Sequence, residues 1–217
     1  MKGLVLFDCD STLSAIEGVD ELARLRGEEV FARCEALTRE AMEGLVPVEE
    51  VFGRRLDMIS PSIAELDAVG RLYLKHIEPG AVEVTAALRA AGWRIGIVSG
   101  GFRRAIMPLA DLLGIDLVEA VDIQLDADGN YLGFDRNAPT ARSGGKPVVV
   151  ERLRAAISPN RPIVMVGDGA SDLEVKPVVD LFVGFGRYAD RPKVRAGAEV
   201  FITALTSLPP ILQARFA

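Results

Sequence analysis

Asp8 and Asp10 stand one residue apart in Asp8-Cys9-Asp10-Ser11-Thr12, directly after the apolar run of residues 3–7. If that run is a buried strand, both carboxylates leave its end together and can reach one crevice, the usual ligand position at the C-terminal edge of a parallel sheet. Like charges roughly 4 Å apart repel by about 4 kcal/mol at an effective dielectric near 20, so the pair needs a cation, a shared proton or strong hydrogen bonds. A second acidic pair, in Gly167-Asp168-Gly169-Ala170-Ser171-Asp172, follows another apolar run at 163–166. Either pair alone fits an Asx turn or a helix N-cap. Together, at corresponding strand ends, they point to a hard divalent cation, and Mg2+ typically combines one or two carboxylates with phosphate oxygens.

An anion site has its own candidates. Ser99-Gly100-Gly101 follows the run 95–98 and precedes a helical pattern, so its hydroxyl and backbone N–H groups can cradle a phosphate at the helix N-terminus. By itself this is also an ordinary glycine turn. Lys146, after Gly144-Gly145 and at the start of another helical pattern, is a candidate counter-charge for the anion and for Asp8, although a lone lysine is usually solvated. Other nucleophiles fit poorly. Cys9 and Cys34 are followed six positions on by Ala15 and Glu40, where a cysteine phosphatase needs arginine, and His76, the only histidine, ends a helical pattern. A carboxylate nucleophile remains.

The elements that must carry these residues follow from periodicity. Apolar runs at 3–7, 94–98, 163–166 and 181–183 alternate with helical patterns at 82–91, 103–113 and 147–157. This predicts an α/β fold with a Rossmann-like doubly wound parallel sheet. Residues 14–77 break the rhythm with four amphipathic helix patterns and no strand, so an inserted helical cap domain is expected there, the core comprising 1–13 and 78–217. One cap pattern aligns Val30, Phe31, Cys34, Leu37, Ala41 and Met42; another, opened by Pro47, aligns Val48, Val51, Phe52, Leu56 and Ile59. A small β-hairpin excursion is expected at 121–134 around Asp128-Gly129-Asn130. The early glycine, and Asn137 at the twelfth position, do not fit a calcium loop.

The chain of 217 residues, 49% hydrophobic, is long enough for a real core, and a net charge of -6 argues against nucleic acid as a partner. Two cysteines make neither a zinc site nor a dense disulfide framework, so a reducing, cytoplasmic location is expected. The opening apolar run is too short for a signal peptide or a membrane span, and no regulatory module is expected before Asp8. A monomer and a homodimer are both compatible with these features.

Asp8-x-Asp10-x-Thr12, Ser99, Lys146 and Gly167-Asp168-Gly169-x-x-Asp172, in this order, resemble the four motifs of the haloacid-dehalogenase-like hydrolase superfamily. Within it, the chain looks like the phosphoserine phosphatases over nearly its whole length. That likeness rests on Phe7-Asp-Cys-Asp-Ser-Thr12, Glu17, Glu40-Ala-Met-Glu-Gly44, Ser99-Gly-Gly-Phe102 and residues 167–186. The resemblance implies that Asp8 attacks phosphorus, and that Asp10 protonates the departing serine oxygen and then activates water. It implies Mg2+ held by Asp8, the Asp10 carbonyl and Asp168, with Asp172 orienting the site, and a phosphate clamp of Ser99, Gly100 and Lys146. Ser171 stands where relatives often have Asn or Thr, and is expected near the phosphate.

The implied substrate, phosphoserine, is zwitterionic at its far end, for which Glu17 and Arg55 form a candidate pair. Arg55 interrupts an otherwise apolar helix face. Met42, Gly44 and Gly101 are implied around the amino-acid part. The expected activity is the last step of serine biosynthesis. Two readings compete with it: hydrolysis or transfer from another small phosphate (phosphohomoserine, a nucleotide or a sugar phosphate), and a signalling receiver phosphorylated on aspartate. Asp10 and the long insertion favour an enzyme.

Overall fold

The computed structural model of the chain describes residues 1–42, 46, 48–157 and 160–216. Its centre is β1 (Gly3–Phe7), an unbroken run of buried apolar residues. It pairs in parallel with β2 (Trp93–Phe102) on one side and β6 (Ile163–Gly167) on the other. The sheet extends through β3 (Leu117–Val121) beyond β2, and through β7 (Leu181–Phe185) and β8 (Val200–Ile202) beyond β6. All of these neighbours are parallel, and the strand order β3-β2-β1-β6-β7-β8 is that of a doubly wound sheet.

A strand buried on both faces must feed two cores. Val5 and Phe7 join the apolar cluster of α5 (Ala81–Ala90), α6 (Arg103–Leu113) and α10 (Leu208–Arg215). Leu4 and Leu6 join the cluster of α7 (Gly145–Ile157) and α9 (Pro192–Gly197) on the opposite face. The expected hairpin is present as β4 (Ile123–Leu125) and β5 (Tyr131–Phe134).

Two sequence expectations need correction. The outer strands β3 and β8 were not anticipated, because each is an edge strand, partly exposed, and lacks a continuous buried apolar run. Ser99-Gly100-Gly101 is not a turn directly ahead of a helix. Extended backbone continues to Phe102, with a register shift against β3 between Val98 and Phe102, and α6 starts only at Arg103. Helix α7 begins at Gly145, two residues before the expected pattern, and Lys146 stands at its start as expected.

Between β1 and α5, among the described residues, come four α-helices, α1 (Gly18–Leu25), α2 (Glu28–Met42), α3 (Val48–Ile59) and α4 (Ile63–Lys75). Cys34, Leu56, Ile59, Leu66, Val69 and Tyr73 bury into the cluster that runs on beneath β1. Leu37 is half-buried in the groove between α2 and α3. Gly44 and Pro47 lie outside the described residues. The chain leaves the sheet and returns at one place: Ser14 and Ile77 form an antiparallel bridge, Ala15 N–H donates to His76 O at 2.9 Å, and Glu78 N–H donates to Leu13 O at 2.9 Å. Among the described residues no helix is long and apolar enough to cross a membrane.

Candidate active site

Asp8 is still tied to the sheet, its N–H donating to Val166 O at 2.9 Å. The chain then turns tightly, with Ser11 in the left-handed region at φ 50°, a conformation non-glycine residues rarely adopt outside constrained sites. Asp8 Oδ1 accepts from Cys9 N–H at 2.7 Å, and its other oxygen lies 2.9 Å from Lys146 Nζ. Lys146 also donates to Asp172 Oδ1 at 2.6 Å, and both side chains are buried. The second oxygen of Asp172 accepts from Gly169 N–H at 2.9 Å. This carboxylate folds back over Gly167, where a Cβ would stand 2.2 Å from Asp172 Cγ, so only glycine leaves room for it. Asp168 accepts from Thr12 Oγ1 at 3.2 Å and pairs with Arg191 Nη2 at 3.0 Å.

Asp8, Asp168 and Asp172 each bring one carboxylate oxygen within 4.8 Å of the others, all three buried. Burial, followed by the Asp8 charge, pushes Asp168 and Asp172 above the usual carboxylate range, against the pull of Arg191 and Lys146 respectively. Hard oxygen donors held this close in a desolvated site can hold a metal ion. All three carboxylates already have donors at both oxygens, Asp172 from Lys146 and Gly169, Asp8 from Cys9 and Lys146, and Asp168 from Thr12 and Arg191, so a metal ion would share or displace these partners.

Asp10 Oδ1 accepts from the Tyr73 hydroxyl at 2.6 Å and from Gly18 N–H at 2.8 Å. Burial, then the nearby Glu17 and Asp8 charges, raise Asp10 well above its ordinary value. Glu17 Oε1 accepts from Ser11 Oγ at 2.7 Å and lies 3.7 Å from Arg191 Nη2. Desolvation raises Glu17 to about 7, supported by the Asp168 and Asp8 charges and opposed by the Ser11 hydrogen bond. Arg55 pairs through Nη2 with Asp20, while its Nε is buried without a hydrogen-bond partner. A crevice of about 220 Å3 gathers Asp8, Asp10, Glu17, Arg55, Lys146 and Asp168.

A family model described as haloacid dehalogenase-like hydrolase matches residues 5–175. The chain belongs to this family. Phosphoserine phosphatase of Bos taurus is 38% identical over 206 residues, which is 94% of this chain and 90% of that protein. Phosphoserine phosphatase of Homo sapiens is 36% identical with the same two coverages, 94% and 90%. A solved structure described as a phospho-aspartyl intermediate analogue of phosphoserine phosphatase superposes with a TM-score of 0.81 at 28% identity, covering 97% of this chain and 98% of that one. Among the haloacid dehalogenase-like hydrolases, then, this one is a phosphatase.

The structure brings most of the sequence candidates to this hydrolase's crevice. Gly100 and Ser171 line it. Ser99 is fully buried behind it, its Oγ accepting from Gly101 N–H at 3.0 Å. Gly101 lies against Asp10, where a Cβ would come 3.0 Å from Oδ2. Met42 ends α2, and Gly44 lies outside the described residues.

Sequence reasoning missed Arg191, Tyr73, Asp20 and the bond from Thr12 to Asp168. Arg191 follows β7 and precedes Pro192 at the start of α9, so a fourth strand end on the same sheet edge was its available signal. Tyr73 sits in the apolar stripe of α4 with Leu66 and Val69, and reads from the sequence as an ordinary core aromatic.

Proposed function

We propose that this phosphatase hydrolyses O-phospho-L-serine to L-serine and phosphate through a phospho-aspartate on Asp8, with Mg2+ as cofactor, the step that frees serine in serine biosynthesis. The observation that carries this reading is one crevice lined both by the acids and lysine that handle a phosphoryl group and by Glu17 and Arg55. The two ends of a zwitterionic phosphate ester call for this combination: a carboxylate for the ammonium group, a guanidinium with an unpartnered buried Nε for the carboxylate. The names of the similar phosphatases agree with it.

In the first half-reaction an Asp8 carboxylate oxygen attacks phosphorus, the bond from phosphorus to the serine oxygen breaks, and the proton on Asp10 passes to that oxygen. In the second, water attacks phosphorus, Asp10 takes back a proton, and the bond from phosphorus to Asp8 breaks. Lys146 holds Asp8 in place and offsets the phosphoryl charge, with Gly100 lining the same crevice and Ser99 assigned to the phosphate clamp in this reading. Asp8, Asp168 and the Asp10 carbonyl would hold Mg2+, with Asp172 fixed behind them; when bound, the ion neutralises charge developing on the phosphoryl oxygens.

Residues 14–77 form the cap in this reading and 1–13 with 78–217 the hydrolase core, the bridge at Ser14 and Ile77 serving as a single hinge. Purified protein with L-phosphoserine and Mg2+ is expected to release phosphate, and Asp8→Asn is expected not to. Full turnover by that variant would remove Asp8 as the nucleophile. A panel of small phosphate esters, with phosphohomoserine included, tests the substrate. Arg55→Ala should reduce turnover of phosphoserine far more than that of p-nitrophenyl phosphate; equal losses would take Arg55 out of substrate choice.

A further inference from the structure

Tyr73 belongs to none of the motifs, yet it is bonded to the loop that follows Asp8 at two points. Its hydroxyl donates to Asp10 Oδ1 at 2.6 Å, and its backbone carbonyl accepts from Ser14 Oγ at 3.3 Å. Its ring is fully buried beside Leu66 and Val69 on α4, and a phenol in such a stripe must find an acceptor for its hydroxyl. Among the described residues that acceptor is Asp10. The fit is steric as well: a Cβ on Gly18 would stand 2.2 Å from the Tyr73 hydroxyl oxygen, so α1 has to begin with glycine for the phenol to reach the carboxylate. Gly18 then supplies the second donor to the same oxygen through its own N–H, at 2.8 Å. Helix α4 is anchored at its other end by a reciprocal cap, in which Ser62 Oγ accepts from Glu65 N–H and Glu65 accepts from Ser62 N–H.

We propose that Tyr73 is a positioning residue for the acid–base work of Asp10, locking Oδ1 so that Oδ2 is the oxygen that gives and takes the proton. Oδ1 carries two hydrogen bonds, whereas Oδ2 lies against Gly101 at the crevice. In the first half-reaction the proton leaves Oδ2 for the ester oxygen as its bond to phosphorus breaks; in the second, a proton of the attacking water returns to Oδ2. The Tyr73 O–H stays in place throughout. Without it, Oδ1 keeps a single donor and the carboxyl group is free to swing about its side-chain bonds. Because Tyr73 comes from the helical segment, the proton-transfer geometry is complete only when α4 lies on the catalytic loop.

This inference rests on the acid–base reading of Asp10 given above, and the leaving group tests it. An alkoxide needs the proton as its bond breaks, while p-nitrophenolate leaves without one. Tyr73→Phe keeps the ring in its stripe and deletes only the hydroxyl, and its thermal midpoint is measured alongside to confirm the fold. We expect kcat for phosphoserine to fall roughly tenfold or more, with KM changed less than about twofold, as misalignment of a reacting group should do. The single-turnover burst of p-nitrophenolate should change less than about threefold, since general acid catalysis contributes little to that departure.

Combined with Asp10→Asn, Tyr73→Phe should add no further loss. Equal losses on the two substrates, an unchanged rate on phosphoserine, or an additive loss in the double variant would overturn the proposal. If wild-type protein hydrolyses p-nitrophenyl phosphate but not phosphoserine, the substrate reading fails on its own, and the same ratio is read with glycerol phosphate as the alkyl ester.

Discussion

Lys146 is the cation on which the buried acids depend, since it lies 2.9 Å from Asp8 and 2.6 Å from Asp172 with almost no exposure. Burial alone would drive its ammonium towards the neutral form, but the Asp172 and then the Asp8 charges outweigh this and hold the group above the ordinary lysine value. A raised lysine contributes stability at every pH below its ordinary value, so the contribution is flat through neutrality. Lys146→Met keeps the stem and deletes the charge, leaving buried carboxylates uncompensated. It should cost about 3–5 kcal/mol by urea denaturation and abolish phosphate release. Glu17 has a dependence of the same sign, but its window spans neutrality. Its carboxyl is raised from 4.5 to about 7, so whatever stability its protonated form contributes is present below 4.5 and lost as pH rises through 7. Function runs the other way, because only the charged form meets an ammonium group. The kcat/KM for phosphoserine should therefore rise through about pH 7 with an inflection that Glu17→Gln removes. An inflection that survives in the variant would assign it to another group.

At the scale of elements, the crevice is formed by loops at the ends of β1, β2, β6 and β7, and what holds those loops to one another sets its geometry. Glu174, just past Asp172, accepts from Ser143 Oγ and Gly144 N–H at 2.8 Å each, tying the loop before Lys146 to the loop that carries the acids. Glu78, next to the Ser14–Ile77 bridge, has a buried carboxylate that accepts from the Tyr188 hydroxyl and lies 3.5 Å from Arg187 Nε, while its Oε1 has no partner. Tyr188→Phe would leave that carboxylate without its hydroxyl donor, and should cost about 1–3 kcal/mol in a denaturant titration. The same change should raise the metal concentration needed for half-maximal activity, because the loop it frees carries Arg191 against Asp168. No change in either quantity would show that Arg187 alone secures the loop. These ties also explain what the sequence could reveal. The interior strands and the acids at their ends were readable because a continuous apolar run followed by glycine and aspartate is a local pattern. Strands β3 and β8, shielded on fewer sides, have no such run. The hydrogen bond from Tyr73 to Asp10 joins residues 63 positions apart, and nothing local distinguishes a phenol that packs from one that aims at a carboxylate. Arg55 was readable as a charge on an apolar face, but its pairing with Asp20 depends on how α1 and α3 meet.

For the whole molecule, a net charge of -6 is less telling than where the charge is concentrated. Asp8, Asp10, Glu17 and Asp168 share one crevice, and burial contributes to the raised carboxyl values of Asp10, Glu17 and Asp168. The fold therefore bears an electrostatic cost at its functional edge that a bound dication relieves. A ligand that binds only the native state stabilises it by about 2.7 kcal/mol at a hundred times its dissociation constant, so Mg2+ should raise the thermal midpoint in a concentration-dependent way and chelation should reverse the rise. Asp168→Asn separates the cost from the benefit. It removes a charge whose ionised form is disfavoured in the native state, so without metal the variant should be no less stable than wild type, even with Arg191 left to Glu17 alone. It also removes one of the three clustered metal donors, so the Mg2+-dependent rise should disappear together with phosphate release. A metal-free variant clearly less stable than wild type would mean that the bonds from Thr12 and Arg191 outweigh the repulsion. A full Mg2+ response in the variant would mean that the ion is held by Asp8 and Asp172 without Asp168.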